Sequence, residues 1–113
     1  MRILKPLIIS IFLSSYVSAA LAADASVTIS SPIDGAKISR KSKIEVSYEV
    51  ISGPNGDHVH LYVDEKEAVV IRKLKSTYTV EPLDPGKHAI CIKIVNKGHT
   101  PIGSQACTNI NVI

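Results

Sequence analysis

The sequence contains no tryptophan, and it has no long stretch in which apolar residues recur at helical spacing. Antibody-type immunoglobulin domains pack a tryptophan against their core disulfide, so the missing tryptophan excludes a core of that type. The missing helical period argues against a helical bundle. No segment is repeated or of low complexity. These absences leave a β protein without an antibody-type core.

A strong excess of positive charge is also missing. The chain has 13 basic and 10 acidic residues, but Arg2 and Lys5 lie in a segment that we expect to be removed. The remaining 11 basic residues nearly balance the acidic ones, so the charge predicts neither a nucleic-acid nor a membrane partner. Basic clusters at 37–43 and 72–75 fit strand edges and turns, where lysines oppose edge-to-edge pairing.

The first 22 residues have the pattern of a secretory signal peptide. Arg2 and Lys5 precede the apolar run Leu7–Val17, and Ala20-Leu21-Ala22 forms a small-x-small cleavage site. The run is shorter than the ~20 residues of a membrane span, although an uncleaved anchor is the alternative. We expect cleavage after Ala22, a single domain over residues 23–113, and a periplasmic or secreted protein.

The clearest local pattern is an unbroken alternation over Gly56–Asp64, which is typical of a β-strand. One face carries Val59, Leu61 and Val63, and the other carries His58, His60, Tyr62 and Asp64. Further alternating or apolar segments, separated by turn-rich stretches, lie at 25–30, 43–51, 68–72, 77–80, 87–95 and 104–113, with a short one near Ile38. Seven or eight short strands at this spacing predict an all-β fold, an antiparallel immunoglobulin-like sandwich.

The two cysteines, Cys91 and Cys107, lie symmetrically about His99 in the predicted final hairpin. Residues directly opposite each other in an antiparallel pair have the spacing that a disulfide can bridge. An exported chain enters an oxidising compartment, so we expect a disulfide, which in the chain-entropy model is worth roughly 3 kcal/mol. The alternative is a pair of thiolate metal ligands.

The predicted topology divides the four histidines into two groups. The strand that begins at His58 would be strand C of the sandwich, and His99 would lie in the F–G loop at the same end. His58, His60 and His99 should therefore converge, with Asp57 nearby, whereas His88 should lie at the other end. Three imidazoles and a carboxylate suit copper or zinc. The alternative is an ordinary polar face of an exposed strand.

Four motifs together resemble a family of small exported bacterial domains of unknown function. They are S-P-x-D-G-A at 31–36, G-x-H-x-H-L at 56–61, L-x-P-G-K-H at 83–88 and H-x-P at 99–101. The resemblance extends over nearly the whole chain after residue 22. This sequence has Asp57 and Val59 where the family tends to have histidines. The resemblance implies an immunoglobulin-like sandwich and export, and it implies no established activity.

Two functions follow from these features. The first is an exported binding module for a protein or another partner, with Tyr62 as the candidate contact residue. The second is a periplasmic protein that binds copper or zinc through His58, His60, His99 and Asp57. We expect no enzyme, because no serine lies in a nucleophile elbow and no carboxylate pair can be assigned to acid–base catalysis.

Overall fold

The computed structural model describes residues 24–113, which form eight β-strands in two sheets. The strands are β1 (Ser26–Ser31), β2 (Ala36–Ile38), β3 (Ile44–Ile51), β4 (His58–Val63), β5 (Lys66–Ile71), β6 (Lys75–Val80), β7 (Gly86–Val95) and β8 (Pro101–Val112). The predicted signal peptide, residues 1–22, lies outside the described residues. Within the described part of the chain, no helix is long and apolar enough to span a membrane.

The strand order confirms the immunoglobulin-like sandwich. One sheet has the order β1-β3-β6, and the other has the order β2-β8-β7-β4-β5. Neighbouring strands are antiparallel except β2 and β8, which are parallel. Strands β4, β7 and β8 therefore occupy the C, F and G positions that the histidine prediction assumed.

The core between the sheets is mostly aliphatic. Alternate residues of β3, β4, β7 and β8 supply most of it, including Val46, Leu61 and Ile92, which are fully buried. Burying side chains of this size contributes about 1.5–3 kcal/mol each. Tyr48 is the buried aromatic residue of this core, and its hydroxyl donates a hydrogen bond to the Lys73 carbonyl at 2.7 Å. The polar end of the ring is thus satisfied.

The final hairpin brings Cys91 directly opposite Cys107, and the two form a disulfide. The predicted pairing is confirmed, and the thiolate alternative is excluded because both sulfurs are bonded to each other. A bond of this kind is typical of domains in oxidising compartments. Nearer the turn, the register shifts between Lys93 and Val95, so that Val95 pairs with Pro101. The hairpin is therefore centred one residue before His99.

The turn between β4 and β5 consists of Asp64 and Glu65 alone, because Val63 pairs with Lys66. Both residues have left-handed backbones, with φ of 51° and 68°. Two-residue turns of this kind usually contain glycine, and the sequence shows none here. Asp64 is held in place by Ala89: its N–H donates to the Ala89 carbonyl, and its Oδ1 accepts the Ala89 N–H.

Candidate metal centre

Three histidine rings meet at one end of the five-stranded sheet. His58 and His60 lie two residues apart on the same face of β4, and His99 reaches them from the β7–β8 loop. The Nε2 atoms of His58 and His60 are 3.1 Å apart, and Nδ1 of His99 lies 3.0 Å from each. The structure thus brings together the three histidines that the topology predicted to converge.

The β7–β8 loop holds His99 in a left-handed conformation, with φ of 64°. Its N–H donates to the carbonyl of Asn96 at 3.0 Å, and the Asn96 side chain accepts the N–H of Thr100 at 3.0 Å. Histidine is one of the few residues besides glycine that adopt this conformation with some frequency. The register shift before the turn and these bonds together orient the ring towards β4.

The face that carries His58 and His60 is covered, although alternation alone suggested an exposed one. Their exposed fractions are 1% and 3%, whereas His99 is exposed. Val95, which pairs with His58, points to the same face and is also fully buried. The interpretation of an ordinary exposed strand face is therefore wrong for these two residues. Buried polar groups need partners, so the contacts of each ring nitrogen matter.

A carboxylate lies behind each of the two buried rings. Oδ2 of Asp57 is hydrogen-bonded to Nδ1 of His58 at 2.9 Å, and Oε1 of Glu67 lies 3.2 Å from Nδ1 of His60. This hydrogen bond holds the pKa of Asp57 below its usual value. Asp57 was predicted as a ligand, but its carboxylate contacts the opposite side of the His58 ring from the converging nitrogens. Glu67 was not predicted.

These carboxylates decide where the imidazole protons lie. A carboxylate can only accept, so Asp57 assigns the proton of neutral His58 to Nδ1 and leaves a lone pair on Nε2. The negative charge of Glu67 favours the same tautomer of His60. Two lone pairs then face each other across 3.1 Å, and a single N–H from His99 can satisfy only one of them well.

Protonation of one of the two rings would relieve the repulsion between the lone pairs, but it is unfavourable for His60. Desolvation lowers the pKa of His60 below its usual value, even though the Glu67 charge opposes the shift and the neighbouring imidazoles add to it. The buried ring is therefore neutral at pH 7. Neutral, converging imidazole lone pairs are the donors that zinc and copper bind.

The dimensions of the nitrogen triangle suit one metal ion. Nitrogens bound at about 2.0–2.1 Å in a tetrahedral arrangement lie about 3.3–3.4 Å apart. The observed separations of 3.0–3.1 Å are a few tenths of an ångström smaller. Small ring rotations would close this difference. Among the described residues, no other group of three potential ligands converges in this way.

Two further side chains from the sequence analysis, Tyr62 and His88, are not among the converging ligands. Tyr62 is half-buried, its ring centroid is 6.4 Å from that of His60, and the ammonium group of Lys93 lies 4.5 Å from its ring centroid. One face of the ring is thus already occupied. His88 lies at the other end of the sandwich beside Asp64, as predicted.

No protein-family model and no curated protein matches this chain, so the family suggested by the motifs is not confirmed. The fold is similar to solved structures. Fibronectin(III)-like modules of CbhA from Clostridium thermocellum match with a TM-score of 0.64 and 22% identity, covering 76% of this chain and 93% of theirs. A CARDB domain from Pyrococcus furiosus, solved in complex with di-metal ions, matches with a TM-score of 0.56 and 15% identity, covering 82% and 90%. At these identities the likeness shows the fold alone, a small fibronectin-type or immunoglobulin-like sandwich.

Proposed function

We propose that this chain is a small exported binding module whose ligand is a transition-metal ion, copper or zinc, bound by His58, His60 and His99. The observation that carries the proposal is the 3.1 Å approach of the two Nε2 atoms on β4. Their protons are drawn to the opposite ring nitrogens by carboxylates, so two lone pairs point to one place. A metal ion turns this repulsive contact into a favourable one.

The surroundings of the three rings also favour an ion. His58 and His60 are buried on a strand whose other face packs in the core, so their orientation is fixed before any ligand arrives. Asp57 and Glu67 offset the charge of a divalent ion and strengthen the ligands through the far ring nitrogens. His99 is exposed and gives the site an edge open to solvent.

Binding of a protein partner is the second candidate, and Tyr62 is its proposed contact residue. Tyr62 lies on the same face as the histidines and next to them, which is the observation in its favour. The two functions separate by mutation. If Tyr62→Ala abolishes binding of a protein partner but leaves metal affinity unchanged, the function is partner binding. If substitution of His58, His60 or His99 abolishes metal binding, the function is metal binding. We propose no catalytic step for either, and a periplasmic or secreted location for both.

The test is calorimetric titration of tag-free protein with Cu(II) and Zn(II). We expect one ion per chain with a dissociation constant well below about 100 μM, a value that corresponds to only about 5–6 kcal/mol. His99→Asn removes one ligand while keeping a residue that tolerates the left-handed backbone. We expect this variant to lose about 100-fold or more in affinity, about 3 kcal/mol.

His88→Gln is the matched control, because it removes a histidine outside the centre. We expect it to leave the affinity unchanged. The proposal fails if the wild-type protein binds neither metal more tightly than about 100 μM. It also fails if His88→Gln weakens metal binding as much as His99→Asn does, since metal binding would then not depend specifically on the three converging histidines.

A further inference from the structure

The carboxylate beside His60 comes from the edge strand β5 by way of a β-bulge. In the β4–β5 pairing, Leu61 pairs with Val69 and Tyr62 pairs with Glu67. Ala68, which lies between the two β5 residues, has no partner on β4. One extra residue in β5 therefore interrupts the alternation of its side chains.

The bulge changes the face on which Glu67 lies. Val69 and Ile71 pack against the core. Strict alternation would put Glu67 on the same face as these two, because all three positions are odd-numbered. The extra residue Ala68 instead puts Glu67 opposite Tyr62, on the face that carries the histidines. Bulges often redirect a side chain in this way beside functional sites.

The preceding turn fixes the register that this redirection needs. Asp64 and Glu65 form the two-residue turn with left-handed backbones and no glycine, an arrangement that costs roughly 1–3 kcal/mol per residue. Backbone bonds of Asp64 to Ala89 anchor the turn to β7. The hairpin thus contains two unfavourable local features, the left-handed turn and the β-bulge. Together they place Oε1 of Glu67 3.2 Å from Nδ1 of His60.

We propose that Glu67 is a positioning residue of the metal centre. It accepts the Nδ1–H of His60 and so keeps the Nε2 lone pair directed towards the ion, as Asp57 does for His58. The Glu67 side chain is 48% exposed, so its contribution to the folded core is small. This inference rests on the proposed metal-binding function, and the experiment below distinguishes the failure of one from the failure of the other.

The experiment measures zinc affinity, by competition with a chromophoric chelator, for three variants. Glu67→Ala removes the acceptor, and we expect a loss of about 10–100-fold, the usual effect of removing a residue that orients a ligand. Glu67→Gln keeps an acceptor oxygen in the same place, and we expect it to recover most of that loss. Glu45→Ala, an exposed carboxylate on β3 of the other sheet, is the control for lost charge, and we expect no change.

A second measurement does not need the metal. The ¹⁵N chemical shifts of the His60 ring in metal-free protein report which nitrogen carries the proton. We expect protonation at Nδ1 in the wild-type protein and a shift towards the other tautomer in Glu67→Ala. If the wild-type protein binds neither zinc nor copper but this shift occurs, the metal function fails and the role of Glu67 in orienting the ring stands. Unchanged affinity together with an unchanged tautomer in Glu67→Ala overturns the inference.

Discussion

Nδ1 of His88 lies 2.5 Å from Oδ2 of Asp64, and Nε2 of the same ring lies 2.6 Å from the carbonyl oxygen of Asp84. Both partners are acceptors, so both ring nitrogens donate and the ring is an imidazolium. These bonds join the β4–β5 turn and the loop before β7 to the first residues of β7. At this end of the sandwich, histidine thus has a structural role.

The ion pair predicts a pH-dependent contribution to stability. The bond to Asp64, followed by the bond to the Asp84 carbonyl, raises the pKa of His88 above 6.5. Burial raises the pKa of Asp64, but the bonds from His88 and from the Ala89 N–H outweigh it and bring the pKa below 3.8. The His88 contribution is therefore complete below about pH 6.5 and is lost as the pH rises through its folded pKa. The Asp64 contribution is complete above about pH 4 and is lost as the pH falls.

Asp64→Asn tests this window, because asparagine tolerates the left-handed backbone and keeps an oxygen for the Ala89 N–H. We expect the variant to be less stable than the wild type by up to about 1 kcal/mol between pH 4 and 6.5, the upper range for a partly exposed pair. The difference should shrink as the pH rises from 6.5 through the folded pKa of His88, and as it falls from 3.8 through the folded pKa of Asp64. Urea unfolding across this range measures it, and a difference that does not change with pH contradicts the ion pair.

Gly56, in the loop before β4, has no room for a side chain. A Cβ there would overlap the carbonyl oxygen of Ser52 and lie 2.6 Å from Cγ2 of Ile94, which is fully buried. We expect Gly56→Ala to destabilise the fold by about 1–3 kcal/mol, the usual cost of overpacking. It should also weaken metal binding, since Asp57 and His58 follow directly.

Gly98→Ala is the matched control, because a Cβ at that position would meet only the side chain of Asn96, at 3.4 Å. We expect a change of less than about 0.5 kcal/mol, as for surface substitutions in general. Thermal unfolding of the two variants under identical conditions makes the comparison. Equal stability of Gly56→Ala and Gly98→Ala would contradict the tight contact at Gly56.

The disulfide between Cys91 and Cys107 should carry a large share of the stability of so small a domain. Replacing both cysteines by serine removes the constraint on the unfolded chain, and we expect a loss of roughly 3 kcal/mol. Urea unfolding measures the loss, and a thiol assay on native wild-type protein should find no reactive thiol. Metal affinity should change little in the folded double variant, since neither sulfur is among the converging ligands. A large loss of metal affinity would contradict the assignment of the ligands to the three histidines alone.

The convergence of the histidines was predictable because it depends on two regular features. Alternation put His58 and His60 on one face, and strand order put the loop that contains His99 at the same end. The roles of the carboxylates were not predictable in the same way. Asp57 was expected among the ligands because it is adjacent in sequence, but it contacts the far side of the His58 ring. Glu67 was missed because the predicted strand began at residue 68, whereas the strand begins at Lys66 and the unpaired residue Ala68 turns Glu67 towards the histidines.

By itself, the sequence determined the sandwich, the direction in which most core side chains point, and the partner of each cysteine. These follow from local periodicity and strand order, which short stretches of chain encode. Only the tertiary structure decided that His58 and His60 are buried, which ring nitrogens carry protons, and that the three nitrogens lie close enough to bind one ion. Burial and protonation depend on groups that other strands and loops contribute, such as Val95, Glu67 and the loop that contains His99, and only the folded chain brings those groups together.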